Sequence, residues 1–404
     1  MAKKQVLTAI DVGTTKVCTL VGEMAGDGDI RVLGVGITPS GGMHKAMVVN
    51  IDEAKDAIRE SIKKAEQTSG LRIESAYVGV TGRHIASMNN RGVVAITRQD
   101  RMVRTDDLKR VLDSARNVKI PTGHKLLHAI PRAYAVDGQP GVKNPVGMYG
   151  YRLDVETHII TAATTAVQNL VKCVRGVGVD IDELVLEPIA SAEAVLSEEE
   201  KEMGIVLADI GGGTTDICVF KEGSIWHTAV LPVAGYQMTR DIAIGLGLPF
   251  DVAEEMKKRY GSVMPIHEVR DEELEMISRD GHGVSYQELC DIVRARVDEI
   301  LRLILLELPQ SNYETIVPAG LVLTGGSSNL PGIDLLGREI LRLPVRVGVP
   351  QRVGGINDML DSPAYATGVG LILWANRNKS TAKKRSRFNF SFRNIINQLT
   401  RFFR

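Results

Sequence analysis

The chain has 404 residues, of which 44% are hydrophobic and 24% are charged. This length predicts two or three domains, and the composition excludes a disordered or a membrane-spanning protein. The formal net charge is zero, with 49 basic and 49 acidic residues, but no acidic residue follows Asp361.

The cysteines and the N-terminus favour a reduced, cytoplasmic protein. The four cysteines form no CxxC pair and have no histidine partners at zinc-ligand spacing. The opening MAKKQVLTAID leaves no apolar stretch for a signal peptide, and no apolar run reaches the ~18 residues of a membrane span. The cysteines are therefore predicted to be buried packing residues: Cys18, Cys173, Cys218 and Cys290.

Residues 6 to 38 predict three strands, VLTAIDV, KVCTLVGE and IRVLGVGIT, which short turns join into an antiparallel meander. Residues 52 to 69 are rich in helix formers, with Asp52 at a capping position and Gly70 after the end. The segment SAYVGVTG then returns as a strand.

The next block, residues 83 to 163, has strands of its own (GVVAI, HAIPRAYAV and HIITAATT) and one helix at 105 to 117. It is predicted to be an inserted α+β subdomain. The helical VQNLVKCVRGVG and the strand IDELVLEP follow it, and they lead into a second lobe near Gly204.

The second lobe begins with a near-copy of the first. ADIGGGTTDICVF at 208 to 220 repeats AIDVGTTKVCTLV at 9 to 21, with two extra glycines. Such a self-match predicts two similar halves that face each other across a cleft. Either loop alone could equally be an ordinary hairpin turn, but ordinary hairpins do not explain two matching loops.

Each loop places glycines and hydroxyls between two strands, where free backbone N–H groups can cradle phosphate oxygens. Asp11 and Asp209 stand at the strand ends, where a carboxylate can hold a hydrated Mg²⁺ through its water shell. The other predicted phosphate-binding residues are Gly13, Thr14, Thr15, Lys16, Gly211, Gly212, Gly213, Thr214 and Thr215.

These paired loops resemble the phosphate motifs of the actin, Hsp70 and sugar-kinase superfamily. LEPIASAEAVL at 186 to 196 resembles its first connecting helix, LVLTGGSSNLPGI at 321 to 333 its adenosine motif, and PAYATGVGLILWA at 363 to 375 its second connecting helix. The resemblance implies an α/β, two-lobed actin-like fold, which is a duplicated ribonuclease H-like fold. It also implies that ATP and Mg²⁺ are bound in the cleft, with weak or absent hydrolysis.

The resemblance also implies roles for single residues. Glu187 matches the position where relatives keep a Glu or Gln that polarises the attacking water, so it is the general-base candidate; an acid favoured by the helix dipole is the alternative. Gly325, Gly326 and Ser327 would let the backbone approach the adenosine. Lys257 would reach it from a smaller subdomain, although a solvated helix face explains that lysine better.

The position of the insertion narrows the resemblance. Actin and Hsp70 insert a subdomain where this chain has only residues 38 to 51, whereas the block at 83 to 163 follows the first helix and the next strand. That arrangement resembles the FtsA family of bacterial cell-division proteins and the PilM family of pilus-assembly proteins.

The C-terminus separates these two families. Residues 388 to 404, FNFSFRNIINQLTRFFR, follow a basic linker and have the spacing of an amphipathic helix that lies on anionic lipid. A helix docked on its own domain and a nucleic-acid arm are the alternatives, and the continuous apolar stripe disfavours nucleic acid. The predicted membrane-facing residues are Phe388, Phe392, Ile395, Ile396, Leu399, Phe402 and Phe403.

The FtsA resemblance implies a peripheral protein of the cytoplasmic membrane face that polymerises, tethers FtsZ filaments and recruits later division proteins through the inserted subdomain. The C-terminal peptide of FtsZ is expected to bind the small subdomain, where Arg294, Arg296 and Arg302 could pair with its acidic groups. Arg296 is the first choice for this contact. A PilM-like pilus-assembly adaptor and a small-molecule kinase are the alternatives.

The expected division of the chain has six parts. They are a first-lobe core (1–82, 164–203 and 363–376), the inserted subdomain (83–163), a second-lobe core (204–233 and 310–362), a small second-lobe subdomain (234–309), a basic linker (377–387) and the amphipathic helix (388–404).

Overall fold

The computed structural model describes residues 6–24, 30–264, 277–279, 282–308, 313–351, 353–355 and 360–385. The predicted amphipathic helix at 388–404 lies outside the described residues. Among the described helices, none combines the length and the hydropathy that a membrane span requires.

The first lobe is built on a six-stranded sheet in the order β11-β6-β1-β2-β3-β19. The predicted antiparallel meander is present as β1 to β3, and β6 and β11 continue the sheet in parallel. These strands are β1 (Val6–Val12), β2 (Lys16–Met24), β3 (Ile30–Pro39), β6 (Ser75–Val80), β11 (Asp180–Leu186) and β19 (Val353–Gly355). A short hairpin of β4 (Met43–His44) and β5 (Met47–Val48) follows β3.

Two helices, α1 (Ile51–Ser69) and α3 (Thr164–Arg175), pack on this sheet. The predicted cap of α1 is wrong by two residues, because the side chain of Asn50 accepts the N–H groups of Asp52 and Glu53. Asn50 has the extended backbone of an N-cap. Asp52 lies in the first turn, where the helix dipole stabilises its negative charge. Gly70 ends α1 in the left-handed conformation, as predicted.

The inserted subdomain has its own antiparallel sheet in the order β7-β10-β8-β9, with one helix packed against it. Its elements are β7 (Ile85–Ala95), α2 (Thr105–Arg116), β8 (His124–Val136), β9 (Gln139–Val142) and β10 (Arg152–Ala163). The strand β9 was not predicted, because QPGV at 139–142 combines proline and glycine, the residues that disfavour a strand.

The second lobe repeats the first. Its sheet has the order β14-β13-β12-β17-β18, with an antiparallel meander of β12 to β14 and two parallel strands beyond β12. This is the arrangement of β3-β2-β1-β6-β11, so the predicted duplication is present. The strands are β12 (Ile205–Ile210), β13 (Thr215–Lys221), β14 (Ser224–Leu231), β17 (Leu321–Thr324) and β18 (Val345–Val347).

Helices and a small hairpin form the rest of the second lobe. They are α6 (Gly235–Gly245), α7 (Phe250–Tyr260), β15 (Ile277–Arg279), β16 (His282–Val284), α8 (Tyr286–Leu306), α9 (Tyr313–Ile316) and α10 (Ile333–Leu341). Single turns of 3-10 helix lie at Gly326–Asn329 and Pro363–Tyr365.

Two helices in contact connect the lobes: α4 (Glu187–Val195), which the short α5 (Glu198–Met203) follows, and α11 (Ala366–Arg385). An ideal Cβ on Gly370 of α11 would lie 1.8 Å from the carbonyl oxygen of Ala190 in α4, so only glycine permits this close crossing. One hydrophobic cluster contains residues of both sheets and of both helices, such as Leu20, Leu207 and Ile189. The helices therefore hold the two sheets side by side. All four cysteines are buried, as predicted, and none of them forms a disulfide.

Candidate functional site

The two predicted phosphate loops are hairpin turns of equal length. The N–H of Gly13 donates to the carbonyl of Lys16 at 3.0 Å, and the N–H of Gly211 donates to that of Thr214 at 2.9 Å. The sequence match with two extra glycines is therefore wrong as an alignment, because the strand pairing places Asp11 opposite Cys18 and Asp209 opposite Asp216. In the structure, Gly212 and Gly213 take the places of Thr14 and Thr15, Thr214 that of Lys16, and Asp216 that of Cys18.

The two hairpins face each other and are in contact. An ideal Cβ on Gly212 would lie 2.3 Å from Cγ2 of Thr15, and one on Gly213 would lie 2.4 Å from Oγ1 of Thr14. Both distances are far below van der Waals contact, so the second hairpin requires glycine where the first has threonine. Backbone N–H groups of both loops thus lie at the place where the lobes meet.

Four carboxyl groups surround this meeting point. Asp11, Asp209 and Asp216 are buried, and Glu187 at the start of α4 is half-buried. Burial raises the pKa of Asp11 to about 6, against the opposing effect of Lys16, and it raises the pKa of Asp216 to about 7. Burial also raises the pKa of Asp209, and burial together with the neighbouring Asp11, Asp216 and Asp209 raises that of Glu187 well above its usual value.

Hydroxyl groups from the connecting helices orient Asp209. Ser191 of α4 donates to its Oδ2 at 2.6 Å, and Thr367 of α11 donates to the same oxygen at 3.1 Å. Asp216 is bound in a similar way by the hydroxyls of Thr81 and Thr214, the latter at 2.9 Å. Hydroxyl donors stabilise a carboxylate without neutralising it, so the cluster retains its preference for a cation.

The described residues contain no group of three Asp, Glu, His or Cys side chains close enough to ligate a metal directly. Carboxylates that hold a cation through its water shell are typical of Mg²⁺ sites, because Mg²⁺ dehydrates reluctantly and usually keeps several waters. The donor set around Asp11 and Asp209 therefore fits a hydrated Mg²⁺.

A small cavity adjoins Glu187. Its volume is about 20 Å³, and its lining includes Glu187, Thr81, His84 and the hairpin residues Ala46 and Met47. One water needs roughly 10 to 15 Å³ and polar partners, so this space suits a single water. Both ring nitrogens of His84 lack a hydrogen-bond partner among the described residues, and burial lowers the pKa of this histidine.

The predicted adenosine segment lies against the second loop. Ser327 donates its hydroxyl to the carbonyl of Gly211 at 2.9 Å. Gly325 has φ +86°, and an ideal Cβ there would lie 2.3 Å from Oδ1 of Asp209, so its missing side chain makes room for this carboxylate. A Cβ on Gly326, by contrast, would find no atom closer than 3.9 Å, so a ligand can approach its backbone.

Two lysines lie near the loops. Lys16 donates to the carbonyl of Ala364, and its ammonium lies 5.0 Å from the ring centroid of Tyr365. Lys257 donates to Glu254 at 2.7 Å and to the carbonyl of Gly235 at 3.1 Å. Because an ideal Cβ on Gly235 would lie 2.8 Å from Oγ of Ser327, Lys257 stands beside the predicted adenosine segment.

Comparison with known proteins adds a second line of observation. Residues 206–370 match the family model described as cell division protein FtsA, and residues 82–161 match the SHS2 domain inserted in FtsA. The cell division protein FtsA of Pseudomonas aeruginosa is 45% identical over 93% of this chain and 90% of its own length. For FtsA of Escherichia coli K12 the identity is 35%, over 91% of this chain and 90% of the relative. This chain belongs to the FtsA family.

Solved structures agree with the fold of this FtsA-family chain. PilM in a PilM–PilN type IV pilus biogenesis complex is 17% identical, with a TM-score of 0.66 over 92% of this chain and 98% of that one. MreB5 of Spiroplasma citri bound to AMPPNP is 15% identical, with a TM-score of 0.57 over 94% and 98%. At these identities the likeness concerns the fold alone, and it confirms the predicted two-lobed actin-like architecture with its inserted subdomain.

The sequence missed four residues of the FtsA-family cleft. Asp216 follows Thr-Thr directly, and an acid at this position is the one signal in the sequence that could have identified it. The hydroxyls on Asp209 and Asp216 had no such signal, because serine and threonine are common in helices and strands. These hydroxyl-bearing residues are Thr81, Ser191 and Thr367.

The three arginines predicted to bind a peptide lie on α8, outside the cleft, and all have carboxylate partners. Arg296 pairs with Asp241 at 2.5 Å, and Arg302 pairs with Asp298 at 2.6 Å. Arg294 reaches Glu339 at 3.2 Å. Side-chain exposure separates them, since it is 23% for Arg296 and 64% for Arg302. Of the three, Arg302 is the most accessible to a partner.

Proposed function

We propose that this FtsA-family chain binds ATP and Mg²⁺ between its lobes, polymerises on the cytoplasmic face of the membrane at the division septum and tethers FtsZ filaments there. In this proposal the inserted subdomain recruits later division proteins. The relatives at 35% to 45% identity favour this function over a PilM-like adaptor or a small-molecule kinase.

The face-to-face pair of hairpins around four carboxyl groups is the observation that supports nucleotide binding. The loops present backbone N–H groups from both lobes, as a polyphosphate requires, and Gly212 and Gly213 allow the two loops to approach each other closely. The acidic cluster would repel bare phosphate, so a cation must accompany the nucleotide. Asp11 and Asp209 are the residues that would hold Mg²⁺ through its waters.

Glu187 is the candidate base for hydrolysis. ATP supplies a terminal phosphoryl group that water can attack, and Glu187 lines the cavity that suits one water. Burial and the neighbouring carboxyl groups raise the pKa of Glu187, and the ammonium of Lys16 opposes this shift. Additional positive charge in the cleft favours the carboxylate form, so a bound cation would make Glu187 more available as a base, and hydrolysis is expected to be slow.

The membrane part of the proposal is supported by the sequence of residues 388–404. Large apolar side chains on one helical face contribute roughly 1.5 to 3 kcal/mol for each one that is fully buried, and basic residues near anionic lipid add about 1 kcal/mol each. Nine basic residues follow Asp361 and no acidic ones do. Both contributions are therefore available to a peripheral anchor.

Vesicle co-sedimentation tests the tether. The full chain with ATP and Mg²⁺ should pellet with anionic vesicles and should carry purified FtsZ filaments with it. A chain that ends at residue 387 and the pair Phe402→Glu with Phe403→Glu should stay in the supernatant, while both still bind nucleotide. Pelleting of the truncated chain, or failure of the full chain to pellet, would refute the anchor.

A second experiment concerns the FtsZ contact. Arg302→Glu and Arg296→Glu should weaken binding of the FtsZ C-terminal peptide without changing ATP affinity, because each replaces a cation with a repelling charge. Arg338→Glu on α10 is the control, since this arginine is 51% exposed and also paired with a carboxylate. Equal affinity in all three variants and the wild type would exclude this face of α8 as the FtsZ site.

A further inference from the structure

The hairpin of residues 43–48, formed by β4 and β5, spans the cleft at the two phosphate loops. The N–H of Ala46 donates to Oγ1 of Thr14 in the first loop at 2.9 Å. An ideal Cβ on Gly213 in the second loop would lie 2.9 Å from Cα of Lys45. The tip of this first-lobe hairpin thus contacts both loops.

The tip has an unfavourable backbone. Lys45 and Ala46 have φ values of +47° and +58°, and no other two adjacent non-glycine residues in the described ranges share the left-handed region. A two-residue turn with both φ values positive is normally built from Asn-Gly or Gly-Gly. Strain of this kind persists where surrounding contacts impose it, and it is concentrated at ligand clamps and switch regions.

The hairpin also contacts the second lobe outside the loops. The ring of His44 lies edge-on to Tyr236, with centroids 5.5 Å apart, and Tyr236 packs on Phe250 at 5.0 Å. The N–H of Tyr236 donates to the carbonyl of Gly212 at 2.7 Å. The hairpin is therefore linked to the second loop both directly and through Tyr236.

Lys45 is a half-buried cation at this junction. Within the described part of the chain its ammonium has no hydrogen bond or ion pair, whereas Lys16 already donates to Ala364. The hairpin also forms one wall of the cavity beside Glu187, through Ala46 and Met47. The hairpin that carries Lys45 therefore adjoins both the phosphate loops and the cavity of the general-base candidate.

We propose that the hairpin of residues 43–48 is a lid that distinguishes nucleoside triphosphate from diphosphate, with Lys45 binding the terminal phosphate. The inference rests on the proposed nucleotide site. The contacts of His44 with Tyr236 and of Ala46 with Thr14 hold the lid across both lobes, so that a triphosphate also favours the closed arrangement of the lobes.

Titration of the full-length chain with Mg-ATP and Mg-ADP tests the lid. In Lys45→Ala the ATP affinity should fall about tenfold or more, as expected for loss of a charge-assisted bond, while the ADP affinity should change less than about twofold. Lys45→Arg should retain most of the ATP preference because it keeps the charge. Lys63→Ala, which removes an exposed lysine of α1, is the control and should behave as the wild type.

The ratio of the two affinities separates the outcomes. An equal loss for ATP and ADP in Lys45→Ala, or no loss for either, would overturn the lid while leaving the nucleotide site in place. If the wild type bound neither nucleotide, the proposed function and the lid would both be overturned.

Discussion

The two phosphate loops have one backbone design but different side chains. Each is a four-residue hairpin that begins at a glycine two residues after a buried aspartate. The first loop presents Thr14, Thr15 and Lys16, which supply hydroxyls and a cation. The second presents Gly212 and Gly213.

The strands that follow the two loops also differ in the charge of their side chains. Asp216 adds a buried carboxyl group to the second lobe where the first has Cys18, whose thiol has its pKa raised to about 12 by burial. The two lobes therefore share a backbone but differ in their side chains. The first lobe supplies larger side chains and a positive charge, and the second supplies glycines and an additional negative charge. Two identical loops would either collide or leave the cleft without this polarity.

Gly212→Val should have the largest effect, because it removes the space that the second loop provides. Its side chain would overlap Thr15, whose Cγ2 already lies 2.3 Å from an ideal Cβ. We expect ATP affinity to fall by more than about a hundredfold, since the loops can no longer approach one nucleotide together. Calorimetric titration measures this.

Gly354→Ala is the matched control for that variant, because a Cβ there meets no atom closer than 4.0 Å. It should bind ATP as the wild type does. Normal ATP affinity in Gly212→Val would mean that the nucleotide does not lie between the loops.

Asp209→Ala should have the next largest effect. It removes a predicted holder of hydrated Mg²⁺ and leaves the hydroxyls of Ser191 and Thr367 without their acceptor. We expect Mg-ATP affinity to fall by about ten- to a hundredfold, as for loss of a charged hydrogen-bonded group. The dependence of ATP binding on Mg²⁺ concentration should weaken at the same time, and an unchanged dependence would argue against a metal at Asp209.

The pH dependence of stability in Asp216→Asn tests the difference in charge between the two lobes. The pKa of Asp216 is about 7 in the folded state against 3.8 for an unperturbed group, so the folded state binds this proton more tightly. The free energy of unfolding therefore falls as pH rises between these two values, and above pH 7 the destabilisation is complete.

Without nucleotide and with EDTA, the Asp216→Asn variant should match the wild type at pH 4.5. At pH 8 it should melt at least about 2 °C higher, since each kcal/mol corresponds to roughly that shift in a protein of this size. Thermal unfolding at the two pH values measures the difference. A variant that is less stable than the wild type at pH 8 would show that Asp216 is stabilised by its hydroxyl partners rather than strained by burial.

Thr14→Ala should have the smallest effect. It removes the acceptor of the N–H of Ala46, a bond of 2.9 Å that lies between the first loop and the hairpin. A neutral hydrogen bond contributes about 1 kcal/mol, so ATP affinity should fall by roughly fivefold. Thr14→Ser should restore it, and if serine fails to do so, the methyl group of Thr14 rather than its hydroxyl is what matters.

The sequence by itself determined the elements whose signal is local. Strand-like segments separated by short turns predicted the meander of the first lobe, and the internal repeat predicted a similar second lobe. Glycine in the left-handed conformation marked the end of α1 at Gly70. The repeated Asp-x-Gly pattern indicated both loops and the duplication, because two such turns beside a carboxylate are not expected from ordinary hairpins.

Only the tertiary structure decided how these elements meet. The register of β12 against β13 placed Asp216 beside Asp209 and showed that the loops have equal length, because a strand's partner is fixed by pairing and not by its own residues. The crossing of α4 and α11 brought the hydroxyls of Ser191 and Thr367 to one carboxylate from positions 176 residues apart. The hairpin at 43–48 became part of the cleft in the same way, since contacts between distant segments depend on packing that no short stretch of sequence contains.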